Sequence, residues 1–196
     1  MQLNRRMPLV VFALALLTSG CGYNRIQTLD ETTNKAKQQI SVQLQRRAEL
    51  IPNLVEVVKG FAAHEAAVFE TVSEARAKLA GAATSGDLGQ MAAASQQMNG
   101  ALGRLIAISE NYPQLKSNEN FIRLQDELAG TENRVAVART DYNTAVNAHN
   151  EYIRKFPQVM TAKVIGAKVR EYFEVTSPAA AEAPKVNFAP PAGKVP

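Results

Sequence analysis

The sequence predicts an all-α protein, an antiparallel up-down four-helix bundle of long helices with a short C-terminal helix. Apolar residues recur in steps of three and four through most of residues 23–175, the spacing that gives a helix one buried face. The same stretch lacks the alternation of apolar and polar residues that is typical of strands. Short connectors containing Gly or Pro separate the apolar runs, and short connectors favour antiparallel neighbours.

The first two predicted helices flank Pro52. Residues 25–48 place Ile26, Leu29, Ala36, Ile40 and Leu44 on one side. Residues 53–79 place Leu54, Val58, Phe61, Glu65, Val68, Val72, Ala75 and Leu79 on one face. Pro52 either starts a new helix, where its missing N–H is tolerated, or kinks a continuous one. We predict a turn there, because an unbroken helix over 25–80 would be ~84 Å long and would outrun its partners.

The third and fourth predicted helices have clearer ends. The third begins at Asp87 as N-cap and stops at Pro113. Its buried face is formed by Leu88, Met91, Ser95, Met98, Leu102, Leu105, Ser109 and Tyr112. The fourth spans 121–156, capped by Asn118 or Asn120 and stopped by Pro157. Its apolar seam repeats every seven residues as Phe121, Leu128, Val135, Tyr142, His149 and Phe156. Residues 159–173 predict a shorter amphipathic helix on one end of the bundle.

The N-terminus predicts secretion and lipidation. Arg5 and Arg6 precede nine apolar residues, 9–17, and the small residues 18–20 precede Cys21. The apolar run is shorter than the roughly 20 residues that span a bilayer, but it suits a signal peptide. Residues 17–21, LTSGC, resemble the bacterial lipoprotein processing site, at which the cysteine thiol receives a diacylglycerol and the chain is cut before it. We therefore expect a signal peptide over 1–20, with Cys21 as the first mature residue.

The predicted anchor sets the expected domains and location. Several acyl chains on Cys21 would hold the protein stably at a membrane, and Gly22 after the cysteine favours the outer membrane over the inner one. Residues 21–175 would form the helical domain, facing the periplasm of a Gram-negative cell. Residues 176–196 are rich in Pro and Ala and low in hydrophobic spacing, which predicts a disordered tail.

Composition argues against several classes of function. The formal net charge is +4, and the basic count falls from 22 to 20 against 18 acidic residues once Arg5 and Arg6 are removed. No dense basic run remains, so nucleic-acid binding is not expected. The chain has no Trp, and aromatic residues make up 6% of it, which leaves little surface for stacking sugars or bases.

Motifs for catalysis or cofactors are also missing from the sequence. His64 and His149 are the two histidines, and neither has a second His four residues away, as a helical zinc site requires. Neither a Gly-x-Ser-x-Gly nucleophile motif nor a Gly-rich phosphate loop is present. The sequence therefore predicts no metal, no cofactor, no small-molecule substrate and no enzymatic activity.

Two groups of polar residues are the candidate sites. The first is a predicted internal ion-pair network on the helix faces, made by Arg47, Glu65, Gln125, Glu132 and Arg139. The alternative for this row is a solvated flank of the last helix. The second is a predicted polar binding surface at one end of the bundle, made by Arg46, Asn53, Tyr112, Lys116 and Asn120. Helix caps and turns are the alternative for its asparagines.

A series of short motifs resembles the LemA family. They are residues 43–55 (QLQRRAELIPNLV), 58–62 (VKGFA), Ala75-Arg76, 112–116 (YPQLK), Asn120-Phe121, 124–132 (LQDELAGTE), Ala138-Arg139, Tyr142-Asn143, Asn150, Phe156-Pro157 and Phe173-Glu174. The resemblance covers about residues 22–174. Departures occur at Ala48-Glu49, at Phe61 and His149 in place of common tyrosines, and near Lys37, where a usual Trp is missing.

The resemblance implies a membrane-attached helical bundle, and residues 21–24 look like the lipidated kind. It implies no catalytic residues, and it associates the chain with envelope maintenance, sometimes beside membrane metalloproteases, or with organelle-membrane formation. We therefore expect a non-enzymatic scaffold or adaptor at the membrane, with a membrane protease or envelope-assembly factor as partner. The alternative is a membrane-shaping or lipid-surface protein, with residues 159–173 and their Lys163, Lys168 and Arg170 lying on lipid.

Overall fold

The computed structural model describes residues 3–174, with side chains from residue 22 onward. The side chain of Cys21 and the predicted tail, residues 176–196, lie outside the described part. Six helices follow one another: α1 (Leu3–Lys59), α2 (Ala66–Ser85), α3 (Leu88–Ser109), α4 (Pro113–Lys116), α5 (Glu119–Arg154) and α6 (Gln158–Ile165). All regular secondary structure within residues 3–174 is helical, which confirms the all-α prediction.

The predicted turn at Pro52 is wrong, because α1 passes through this residue without a break. Proline cannot donate to the carbonyl four residues earlier, which here belongs to Ala48. Arg76 of α2 supplies the missing donor, with its Nε 2.9 Å from the Ala48 oxygen. Buried Ile51 and Leu54 pack into the core on either side of the proline. Packing and the substitute hydrogen bond together keep the helix continuous.

The predicted second helix is divided between two elements. Its first part is the end of α1, and a connector over residues 60–65 precedes α2. Phe61, expected on the buried face, lies in this connector and is 37% exposed. Glu65, expected between Phe61 and Val68 on the same face, is the residue before α2 and makes no capping bond.

Both predicted caps of the later helices are present. The Asp87 carboxylate accepts a 2.7 Å hydrogen bond from the Gln90 amide at the start of α3. Asn118 accepts from the Phe121 amide at 3.1 Å at the start of α5, so Asn118 rather than Asn120 is the cap. The far end of the predicted seam differs, since α5 stops at Arg154 and Phe156 is exposed.

The core lies between the four long helices. Helix α1 packs against α5 and α2, and α2 packs against α3. Contacts of Ile26 with Ile153 and of Arg47 with Glu132 show that α1 and α5 run antiparallel. The core includes Ile40, Leu44, Leu54 and Val58 of α1, Val72 and Leu79 of α2, Met91, Met98 and Leu105 of α3, and Phe121 and Val135 of α5.

The C-terminal part of the domain is less helical than predicted. Helix α6 ends at Ile165, and Gly166 follows with φ 70°, a left-handed conformation that closes a helix. Residues 167–174 then run without regular secondary structure, and we call them the strap. Phe173 of the strap is buried in the main core. The predicted helix over 159–173 is thus a two-turn helix followed by an extended chain.

None of the helices within the described residues is long and apolar enough to cross a membrane.

Candidate functional site

A cavity of about 540 Å³ lies between α1, α5 and the strap. The turn between α2 and α3 lies at one end of this cavity, where a Cβ on Gly86 would be 3.9 Å from Nζ of Lys37. Beyond this turn, Ile26 of α1 packs with Ile153 of α5 and Ala162 of α6. Polar residues in the cavity lining are Gln27, Asp30, Thr33, Asn34, Lys37, Tyr142, His149, Lys168, Arg170 and Glu171.

Asp30 joins three elements at this cavity. Its Oδ1 atom accepts hydrogen bonds from Arg170 Nε at 3.0 Å and Arg170 Nη2 at 2.6 Å, which ties α1 to the strap. The same oxygen lies 3.7 Å from Nε2 of His149 on α5. His149 is buried, and its Nδ1 lies 3.4 Å from Oδ1 of Asn150. The sequence placed His149 on the apolar seam, and the structure adds this polar contact.

Two asparagines of α5 hold the strap by its backbone. Asn150 accepts from the Arg170 amide at 2.8 Å and donates to the Arg170 carbonyl at 2.8 Å. Asn143 likewise accepts a hydrogen bond from the Phe173 amide at 2.8 Å and donates one to the Phe173 carbonyl at 3.1 Å. The two side chains are seven residues apart and share one face of α5. Backbone N–H and C=O groups of a chain outside helices need hydrogen-bond partners, which a neighbouring strand often supplies. Here the side-chain amides of Asn143 and Asn150 supply them.

Side chains add selectivity to this backbone attachment. The Tyr142 hydroxyl donates to the Glu171 carbonyl at 2.9 Å. Burial raises the pKa of Tyr142, with Arg170 opposing and Glu171 reinforcing the increase. The Arg139 guanidinium lies 4.8 Å from the centre of the Phe173 ring, a cation–π distance. The site is therefore built to hold an extended segment with an arginine and a phenylalanine three residues apart.

Sequence reasoning missed this arrangement. From the sequence, Asn143 is placed among the motifs that resemble the family, and Arg170 is placed on the helix of the alternative lipid-surface hypothesis. The available signal was the seven-residue spacing of Asn143 and Asn150 beside the apolar seam of α5, since amides repeated on one helix face contact the same neighbour.

Arg47, Glu132 and Arg139 form a second polar cluster, inside the α1–α5 contact. Arg47 is buried and its Nη1 forms an ion pair with Glu132 Oε2. Burial lowers the pKa of Arg47, and the Glu132 carboxylate opposes this effect. Burial also lowers the pKa of Arg139, where Glu132 opposes and Arg47 adds to the shift. The Glu132 carboxylate therefore pairs directly with Arg47, and it acts on Arg139 through its charge alone. Nε of Arg47 and Nε and Nη2 of Arg139 are buried without a hydrogen-bond partner among the described residues.

The other two members of the predicted network lie apart from this cluster. Glu65 precedes α2 and is half-buried without an ion pair among the described residues. Gln125 is also half-buried, but it is two turns from Glu132, ~10 Å along α5. The structure therefore brings together three of the five residues.

The predicted polar surface lies at the end of the protein opposite Cys21. Arg46 of α1 is 3.9 Å from Glu127 of α5, and Asn53 and Asn120 are each seven residues further toward that end. Both asparagines are exposed. Tyr112 precedes α4 and is half-buried, while Lys116 ends α4, with its Nζ 3.7 Å from Glu110. The register of α1 and α5 thus places Asn53 and Asn120 at the same level.

Residues that bind metals are dispersed. No group of three or more His, Cys, Asp or Glu side chains within the described chain is arranged to hold a metal ion.

Comparison with known proteins gives a consistent family assignment. Residues 36–188 match the LemA family. Magnetosome protein MamQ 2 of Paramagnetospirillum magneticum is 29% identical over 191 residues, covering 86% of this chain and 69% of that protein. Magnetosome protein MamQ of Magnetospirillum gryphiswaldense is 28% identical over 190 residues, covering 85% of this chain and 69% of that protein. The family match includes the strap and both asparagines that hold it.

Proposed function

Because the chain belongs to the LemA family, we propose that it is a membrane-tethered, non-enzymatic scaffold of the bacterial envelope. In this proposal its four long helices form an up-down bundle, and the bundle binds protein partners at the end farthest from the membrane. A membrane protease or an envelope-assembly factor is the kind of partner expected. The two relatives are named magnetosome proteins, which supports a role connected with membranes.

The tether in this proposal is a lipidated Cys21 exposed by removal of residues 1–20. The LTSGC sequence supports it, and several acyl chains would make attachment stable. The protein would face the periplasm, and Gly22 favours the outer membrane.

The observation that carries the proposal is that residues 21–59, the part of α1 retained after the proposed cleavage, form one unbroken helix. Cys21 belongs to the same helix as the core residues Leu44 and Leu54, so no flexible linker separates anchor and body. At 1.5 Å per residue, Asn53 lies ~48 Å from Cys21 along the helix. The structure supports a role in which partners dock at a fixed height above the membrane.

The partner surface is tested by site-specific crosslinking in cells. A photoreactive residue replaces Asn53 or Asn120 at the far end, or the exposed Thr28 or Asn147 of the same two helices as matched controls. We expect reproducible protein adducts at Asn53 and Asn120 and none at the controls. Equal labelling at all four positions, or no adduct at the far end, would reject the scaffold role.

The tether is tested separately by metabolic labelling with fatty acids. Wild-type protein is expected to incorporate label, and Cys21→Ser is expected to lose both the label and the cleavage after Gly20. Unlabelled wild-type protein would reject lipidation without affecting the crosslinking result.

A further inference from the structure

Helix α6 presents large apolar side chains to the outside of the protein. Phe156 is 83% exposed, Met160 60% and Val164 87%. Met160 and Val164 are four residues apart within α6, which places them on one face of this helix. Phe156 lies in the turn two residues before α6 begins. Large apolar side chains exposed this close together in the chain indicate a surface for interaction. We call Met160, Val164 and the preceding Phe156 the α6 outer face.

The opposite side of α6 fixes this orientation. Ala162 is buried against Ile26 of α1 and Ile153 of α5. Because α6 already uses its inner side in this small core, its outer face has no place in the interior of the described domain.

The α6 outer face lies beside the predicted anchor. A Cβ on Gly22 would be 3.5 Å from Thr161 Oγ1 and 3.9 Å from Gln158 Cγ. Helix α6 therefore packs against the residue that directly follows Cys21. A bilayer that holds the acyl chains of Cys21 would be within a few ångströms of α6.

The charges around the apolar row match a membrane surface. Lys163 of α6 and Lys168, which follows the helix and also lines the cavity, are exposed and form no salt bridge with any described residue. Lysines beside an apolar face are the arrangement by which interfacial helices bind anionic lipids. A protein partner would not require the closeness to Cys21, so the position of the face favours lipid.

We propose that Phe156, Met160 and Val164 insert into the boundary between headgroups and acyl chains of an anionic bilayer, with Lys163 and Lys168 contacting the headgroups. This second attachment would fix how the helical body stands on the membrane. The inference rests on the proposed tether at Cys21. It narrows the lipid-surface hypothesis from residues 159–173 to α6, because the strap that follows is held against α5.

The absence of Trp from the sequence provides a direct test. Met160→Trp and, as a control, Val137→Trp each introduce a single tryptophan at positions of matched exposure, 60% and 59%. The full chain carrying either substitution is reconstituted on vesicles of phosphatidylcholine and phosphatidylglycerol in equal parts. Tryptophan emission and its quenching by lipids brominated near the headgroup are measured, with circular dichroism as the folding control.

We expect a blue shift and strong quenching for Met160→Trp and neither for Val137→Trp. Lys163→Glu in the Met160→Trp protein should reduce the quenching, since each lysine near an anionic surface changes partition by about fivefold. A chain that floats with the vesicles while residue 160 stays unquenched would overturn the inference and leave the tether intact. A blue shift that appears without lipid and grows with protein concentration would show that the α6 outer face binds a second copy of the protein. That result would also overturn the inference.

Discussion

Arg76 Nε of α2 donates a 2.9 Å hydrogen bond to the carbonyl oxygen of Ala48 in α1. That carbonyl is the one that Pro52 leaves without a helical donor. The two residues are 28 positions apart in sequence. The donor that α1 lacks at Pro52 is therefore supplied by another helix, α2. Together with the packing of Ile51 and Leu54, this contact keeps α1 continuous at Pro52.

Arg76→Ala should lower the free energy of unfolding by about 1–1.5 kcal/mol, because it leaves the Ala48 carbonyl without a donor. In a Pro52→Ala background, the alanine at position 52 donates its own N–H to the Ala48 carbonyl. The loss of unfolding free energy caused by Arg76→Ala should then be no larger than that caused by Lys78→Ala, an exposed control substitution on the same helix. Urea unfolding of the four combinations measures the coupling. Equal costs in both backgrounds would contradict the role assigned to Arg76.

Glu132→Gln should destabilise the protein by about 2–3 kcal/mol, because Arg47 and Arg139 would share the interior without a carboxylate. This destabilisation is smaller than that expected for breaking a fully buried ion pair, because the Glu132 side chain is 35% exposed. Glu127→Gln on the same helix removes the exposed pair with Arg46 and should cost under about 1 kcal/mol. Glu65→Ala should change stability by no more than about 0.5 kcal/mol.

Asn150→Ala should release the strap around Arg170. The Arg170 amide loses its acceptor, and its hydrogen exchange should accelerate by about tenfold, the factor expected for one hydrogen bond of ~1.4 kcal/mol. Asn147→Ala, one turn earlier on α5, removes a 3.3 Å contact with the Tyr172 hydroxyl and should leave the Arg170 amide protected. Hydrogen exchange measured by mass spectrometry resolves the strap peptide, and an unchanged rate in Asn150→Ala would argue against attachment of the strap through Asn150.

Tyr142 should make stability fall at alkaline pH. Its pKa is raised above the ordinary value of 10.0 by burial, so the unfolded chain loses the proton first. The stabilisation is complete below the unfolded pKa and is lost as pH rises through the folded one. Urea unfolding between about pH 8 and 11 should show a shallower decline in Tyr142→Phe than in wild type. Tyr172→Phe removes a phenol from the strap and serves as the control for loss of a tyrosine hydroxyl near this site. If the unfolding free energy falls equally steeply with pH in Tyr142→Phe and in wild type, the expectation is refuted.

Much of the local structure was predictable because it depends on neighbours in sequence. The spacing of Leu44 with Ile40 and of Val135 with Leu128 gave the helices and their buried faces. Asp87 and Asn118 were recognisable caps, since a cap bonds an amide two or three residues away. The pairing of Arg47 with Glu132 followed from both lying beside apolar seams, although their shared cluster with Arg139, and the exclusion of Glu65, required the packed helices.

The sequence by itself determined most of the helical segments, the caps at Asp87 and Asn118 and most of the buried helix faces, because periodicity and capping act within a few residues. Tertiary structure alone decided that α1 continues through Pro52, since the donor comes from Arg76 on another helix. It also decided that residues 167–174 are extended, because Asn143 and Asn150 satisfy their backbone from outside the segment. The exposure of Phe156 has the same origin: a seam position is buried only where another element covers it, and α5 ends before Phe156 is reached.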